Sequence, residues 1–197
     1  KKGLSLESPL VRNRIVNDAL QTSIKSTPSP LYKKSFAKQI RTGNFSDNMK
    51  EISSCDWILE AVVENLDIKK TIFTEVEKYR TTGTIVSSNT SGIPIKLMAE
   101  NRSDDFKKHF CGTHFFNPPR YLRLLEIIPG PESDESVLNF LRNYGDVFLG
   151  KTTVLCKDTP AFIANRIGVY SIMSLCHLVD KMGLTIDEVD KLTGPVL

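Results

Sequence analysis

The sequence predicts an α/β protein: a Rossmann-like parallel sheet between helices, followed by the start of an all-helical segment. Three observations carry this. Short β-rich apolar runs alternate with helical patterns from Trp57 to Cys156, the pattern of a parallel sheet. Polar clusters fall at or just beyond the ends of those runs, where ligands bind in open sheets of this kind. After Asp158-Thr159-Pro160 the character changes to one long apolar helix.

Taken in order, Ser8-Pro9 offers a capping hydroxyl and a proline at the first helical position. Leu10, Val11, Ile15, Ala19, Leu20 and Ile24 follow at helical spacing, so an amphipathic helix is expected over 9–25. Ser26-Thr27-Pro28-Ser29-Pro30 breaks it, a short basic helix over 31–40 follows, and Arg41-Thr42-Gly43-Asn44 makes a turn. Trp57–Val63 reads as a mostly buried strand. Glu64-Asn65 leads into a helix with Ile68, Ile72, Val76 and Tyr79 on its apolar face, ended by Gly83.

Thr84–Ser87 is the second strand, followed by Ser88-Asn89-Thr90-Ser91-Gly92, and Pro94 opens a short helix to about Ala99. His109–Phe115 and Leu122–Ile128 are the third and fourth strands, Asp134 starts a helix, and Thr152–Cys156 is the fifth strand. Thr159 should cap, and Pro160 start, a helix running to Met182. It is apolar nearly all round, which predicts burial in a helical layer or a subunit contact. Gly183 closes it and Thr185 caps a shorter helix.

The chain has 197 residues, 40% hydrophobic and 25% charged, with a net charge of +3 and no basic stripe, so nucleic acid is not an expected partner. No apolar run reaches the length of a membrane span. Cys55, Cys111, Cys156 and Cys176 form no Cys-x-x-Cys pair and have no histidine at metal-ligand spacing. They read as buried, reduced thiols of a cytoplasmic protein, with no metal site.

The chemistry centres on Gly112-Thr113-His114-Phe115-Phe116-Asn117-Pro118-Pro119, with Glu126 twelve residues after the histidine. The prolines end the strand, so His114 stands where a strand runs out into a loop. Glu126 lies among aliphatics and needs a partner if buried; His114 is the candidate. A carboxylate on one ring nitrogen fixes the tautomer and leaves the other free to take a proton. On local evidence alone, a core histidine satisfied by a nearby acid is the favoured reading of the same two residues. Asn165, near the start of the long helix, is either a buried amide in need of a partner or a helix-surface residue. Glu64 and Ser91 are either site residues or helix caps.

Ser88-Asn89-Thr90-Ser91, His114-Phe115-Phe116-Asn117-Pro118, Leu125-Glu126-Ile127-Ile128 and Asp158-Thr159-Pro160…Asn165-Arg166, in this order and spacing, closely resemble the L-3-hydroxyacyl-CoA dehydrogenase family of fatty-acid β-oxidation. The match runs from about Asp56 to the last residue. Asn-Pro-Pro-Arg-Tyr-Leu-Arg-Leu-Leu-Glu and the helix before residue 30 look most like the bacterial form fused to an enoyl-CoA hydratase. The resemblance implies an NAD-dependent oxidoreductase acting on an acyl-CoA. His114, Glu126, Ser91 and Asn165 match the family's catalytic set: His114 as base, Glu126 orienting it, Ser91 and Asn165 bonding the reacting oxygen. Glu64, Lys69, Ser91 and Asn117 match NAD-contacting positions.

The family opens with a strand, a Gly-x-Gly-x-x-Gly turn and a helix that cradle the pyrophosphate. None is present here. The expectation is therefore an N-terminally incomplete NAD-binding Rossmann-like domain over 1–157, lacking its first two strands, and a truncated start of a helical dimerisation or substrate domain over 158–197. Such a segment should bind NAD poorly, leave the strand at Trp57 as an apolar edge, and belong to a homodimer or a larger multifunctional chain. A relative acting on another hydroxy acid, and a non-catalytic fragment, are the competing readings.

Overall fold

A computed structural model describes residues 3, 5 and 7–194; Pro195, part of the Thr193-Gly194-Pro195 end, lies outside them. Its centre is one five-stranded sheet of sequential order: β1 Trp57–Glu60, β2 Ile85–Ser88, β3 Phe110–Phe115, β4 Leu124–Pro129 and β5 Thr152–Leu155. The strands β1–β2, β2–β3 and β4–β5 pair in parallel, as expected. The pair β3–β4 is antiparallel, so the sheet is mixed, where a parallel sheet throughout was expected. The reason is local: only eight residues, 116–123, join β3 to β4. A parallel crossover needs a dozen or more, normally with a helix.

Helices cover both faces, so the strands alternate between two apolar cores. On one face Phe73 and Val76 of α4 (Leu66–Tyr79), Ile95 and Met98 of α5 (Ile95–Ala99) and Phe106 of α6 (Asp104–Lys108) pack on Val86, Phe110 and Ile128. Phe73, Phe106 and Phe110 meet ring to ring. On the other, Val137, Leu138 and Leu141 of α7 (Glu135–Val147) pack on Cys111, Leu125 and Ile127. A hydroxyl relay crosses this second face, Trp57 Nε1 and Thr113 Oγ1 both donating to Ser87 Oγ at 2.8 and 2.7 Å.

Caps set the helix starts. Asn65 accepts from the Ile68 amide and Asp134 from that of Ser136. Gly112 is required by close approach, since a Cβ there would stand 2.8 Å from Ile95 Cδ1 and 3.0 Å from Ile128 Cβ.

The N-terminal helix divides at Asn13 into Pro9–Arg12 (α1) and Arg14–Lys25 (α2). Ser8 makes no side-chain cap, and the Asn13 amide oxygen accepts instead from Asn44 Nδ2 at 2.6 Å. The basic stretch forms a 3-10 helix over Lys34–Gln39, and Phe45–Asn48 makes a short α3. Arg120 pins this arm to the β3–β4 loop through the carbonyls of Ser29 and Leu31.

The C-terminal helix departs most from expectation. It begins at Ala164, not Pro160, and runs to Met182 (α8). Ala161 and Phe162 take left-handed φ values of 62° and 47°, which no helix continues through. Gly183 ends α8 with φ 64°, and Thr185 with Glu188 forms a capping box for α9, Ile186–Thr193. No residue of α8 is buried within the described chain, where burial in a helical layer or at a subunit contact was expected, and Tyr170 is 74% exposed. Cys176 on α8 and Cys55 before β1 are exposed, where buried thiols were expected.

Candidate active site

The antiparallel return of β4 builds the centre of the site. His114 and Glu126 are register partners on β3 and β4, so their side chains leave the same face directly opposite one another. His114 Nδ1 lies 2.7 Å from Glu126 Oε2, with both side chains buried. Nε2 has no hydrogen-bond partner among the described residues. Phe116 and Phe162 flank the ring, at centroid distances of 4.5 and 5.6 Å.

Glu126 has a second set of donors. Its Oε1 accepts from the backbone amides of Ile163 at 3.0 Å and Ala164 at 2.8 Å. These belong to the start of α8, where amides have no intrahelical acceptor and a carboxylate is favoured. The left-handed pair at 161–162 turns the chain so that the amides face the sheet and the Phe162 ring, 3% exposed, closes over His114. This is why the helix starts four residues late. Cys156, at the end of β5, has its thiol pushed up to about 12 by burial and by the neighbouring Glu126 carboxylate.

A polar network occupies the ends of β1 and β2. The Lys69 ammonium, 1% exposed, lies between Glu60 Oε1 at 2.9 Å and Glu64 Oε2 at 3.3 Å. Glu64 Oε1 in turn accepts from Thr90 Oγ1 at 2.5 Å and from the amides of Ser91 and Gly92 at 3.0 and 3.2 Å. Burial opposes the Glu64 carboxylate, but the Thr90 hydroxyl, the Ser91 amide and Lys69 outweigh it and hold its pKa below the ordinary glutamate value.

The expected residues thus fall into two directly bonded groups, His114 with Glu126, and Glu64 with Lys69 and the Ser91 backbone. Asn89 joins them: its side chain accepts from the amide of Phe115, next to His114, at 2.9 Å. Ser91 is exposed at the loop tip. Asn165 is half-buried and directly follows the amide that binds Glu126. Asn117 is exposed just past β3 and bonds to none of the other expected site residues. Lys69 is not at the surface, because its ammonium is taken up by protein acceptors.

Glu60, Asp158 and Phe162 went unpredicted. Glu60 is a carboxylate inside an apolar run, the signal that marked Glu126. Asp158 accepts from the amides of Ile95 and Lys96 at 2.9 and 3.0 Å, capping α5 from 63 residues away; only the Pro94 start hinted at a missing cap. Nothing local foretells the left-handed turn at Phe162.

A doubly covered sheet with a buried histidine–carboxylate pair at one strand end and an anchored polar loop at the next has the architecture of a Rossmann-like nucleotide-binding domain. The family described as 3-hydroxyacyl-CoA dehydrogenase, NAD binding domain, matches residues 11–159. The chain is 50% identical over 197 residues to a probable 3-hydroxyacyl-CoA dehydrogenase of Bacillus subtilis, covering 100% of this chain and 25% of that protein. It is 44% identical over 186 residues to a protein of the same name from Deinococcus radiodurans, covering 94% and 54%. The crystal structure of M. tuberculosis FadB2 superposes with a TM-score of 0.73 at 29% identity, over 93% of this chain and 65% of that one.

The chain belongs to the 3-hydroxyacyl-CoA dehydrogenase family, and NAD is the cofactor of the domain it matches. It spans a quarter to about half the length of these two curated relatives. Among the described residues no helix is long and apolar enough to cross a membrane.

Proposed function

We propose that this chain is the catalytic segment of an NAD-dependent enzyme that oxidises L-3-hydroxyacyl-CoA to 3-ketoacyl-CoA in fatty-acid β-oxidation. The observation that carries the reading is the buried His114–Glu126 pair, with Nε2 left without a protein partner.

Glu126 orients His114 and stabilises the imidazolium that forms, so His114 accepts the proton of the substrate 3-hydroxyl at Nε2. Ser91 and Asn165 hydrogen-bond the reacting oxygen. Bound NAD would supply the acceptor for the hydride of C3. The polar ends of β1, β2 and β3 fit such a group, since a sheet of this kind binds nucleotides at its carboxyl edge. Glu64, Ser91 and Asn117 would hold it there, and Lys69 would serve through Glu64. Phe162 and Phe116 keep water from the imidazole. Residues 158–197 start the helical substrate and dimerisation domain, and the exposed apolar side chains of α8, Ile167, Ile172 and Leu178 among them, are covered in the homodimer or longer chain.

The test is formation of NADH from L-3-hydroxybutyryl-CoA and longer homologues by the full-length gene product. His114→Gln should lower kcat by roughly two to four orders of magnitude with NAD affinity unchanged. Wild-type activity in that variant would exclude His114 as the base. Silence on every acyl-CoA, with turnover of a free hydroxy acid, would favour the other-substrate reading.

A further inference from the structure

Glu60 has no place in the mechanism above, yet it is the hub of the network beneath the site. Its side chain is 2% exposed. Oε1 accepts from Lys69 Nζ at 2.9 Å and from the Val62 amide at 2.5 Å; Oε2 accepts from Lys69 Nζ at 3.0 Å and from Ser88 Oγ at 2.6 Å. Its backbone carbonyl accepts from the Asn89 amide at 2.7 Å. Both Ser88, its register partner on β2, and Asn89 open the loop that carries Ser91.

We propose that Glu60 is a positioning residue of the reaction: through Lys69 and Glu64 it fixes the Ser91 backbone, and through Ser88 and Asn89 it fixes that loop against His114. This deepens the dehydrogenase reading and rests on it.

The chain of bonds is continuous. An ammonium has three donors, and the acceptors around Lys69 are Glu60 (both oxygens), Glu64 Oε2 and, at 3.4 Å, the Val62 carbonyl. None is left over for a ligand. Lys69 instead holds Glu64 in the one orientation that offers Oε1 to the amides of Ser91 and Gly92. Thr90, fully buried, locks the far side: its hydroxyl donates to Glu64 and accepts from the Ile93 amide at 3.0 Å.

Stability does not account for such an arrangement. Two charges withdrawn from water gain little over apolar residues of the same shape, so a buried ion pair is weak evidence of a stabilising role. What the charges do supply is a fixed geometry running from the buried hub to an exposed serine. A reacting group displaced by about 1 Å can lose roughly a hundredfold in rate.

The experiment compares Glu60→Gln with Glu60→Gln/Lys69→Met in the full-length gene product, reading Tm, kcat, both KM values and hydrogen exchange at the Ser91 and Gly92 amides. Glu60→Gln should lower Tm and kcat together, because it strands a buried ammonium. The double variant leaves no unpaired buried charge, since Glu64 is 43% exposed and keeps its Thr90 hydroxyl and amide donors, so Tm should recover, while kcat stays at least tenfold down and the Ser91 and Gly92 amides exchange at least tenfold faster. The pH profile of kcat should not move. Recovery of kcat along with Tm, or unchanged exchange at Ser91, would overturn the inference and leave Glu60 a structural residue. If the double variant fails to fold, Ser88→Ala, which removes one bond of Glu60 and no charge, should still lower kcat and speed exchange at the Ser91 amide, and unchanged exchange there would overturn the inference. A wild type that oxidises no 3-hydroxyacyl-CoA would instead sink the dehydrogenase reading itself.

Discussion

Glu126 and Ala164 join the sheet to the helix that follows it, the carboxylate accepting the amide of the first α8 residue at 2.8 Å while its other oxygen meets His114. The same side chain thus orients the base and seats the helix. Glu126→Gln keeps an acceptor for the amides but removes the charge opposite the imidazole. Its kcat is expected to fall by about two orders of magnitude or more, with little change in Tm. A thermal melt alongside steady-state kinetics checks this, and a large Tm loss with intact kcat would contradict it.

Asp158 should be measurably stabilising although it lies outside every regular element. Asp158→Ala removes the acceptor for two amides at the start of α5. A loss of about 1 kcal/mol in urea denaturation is expected, and Asp158→Asn should recover part of it.

Gly112→Ala places a methyl group where Ile95 Cδ1 and Ile128 already stand. Overpacking of this kind costs about 1–3 kcal/mol. Gly92, whose Cβ position is open, makes the matched control, and Gly92→Ala should be nearly neutral by comparison in the same denaturation series.

The folded-state pKa of Glu64 is held below its ordinary value, so its carboxylate adds stability above the unfolded pKa and that stability is lost as pH falls through the folded one. Between neutrality and pH 5 wild type and Glu64→Gln should therefore show parallel Tm curves. Below the ordinary glutamate range the wild-type curve should fall more steeply than that of the variant. Equal slopes would mean that Glu64 does not hold the loop as a carboxylate.

Much of this site is legible in the residues, because polar side chains in apolar strands announce their need for a partner. Glu126 among Leu124, Leu125, Ile127 and Ile128 pointed to His114, and the pair is bonded. The same argument at Glu60 would have found Lys69. Strand direction was not legible from alternation alone. It follows from the short 116–123 connection, and it is what sets His114 opposite Glu126. The helix start at Ala164 was misread because Thr159-Pro160 has the local form of a start, while the true start is decided by a carboxylate 38 residues away. Where a tertiary partner supplies the cap, local sequence does not name it.

Helix α8 has 19 residues and is therefore about 28 Å long. It is held to the sheet at one end, where the Ile163 and Ala164 amides grip Glu126, and none of its residues is buried along the rest. That makes it a lever with the carboxylate at its fulcrum. A tilt of about 5° sweeps the Met182 end through about 2.5 Å, given the rise per helical residue, yet shifts the gripping amides by only a few tenths of an ångström, the scale on which a hydrogen bond strengthens or fades.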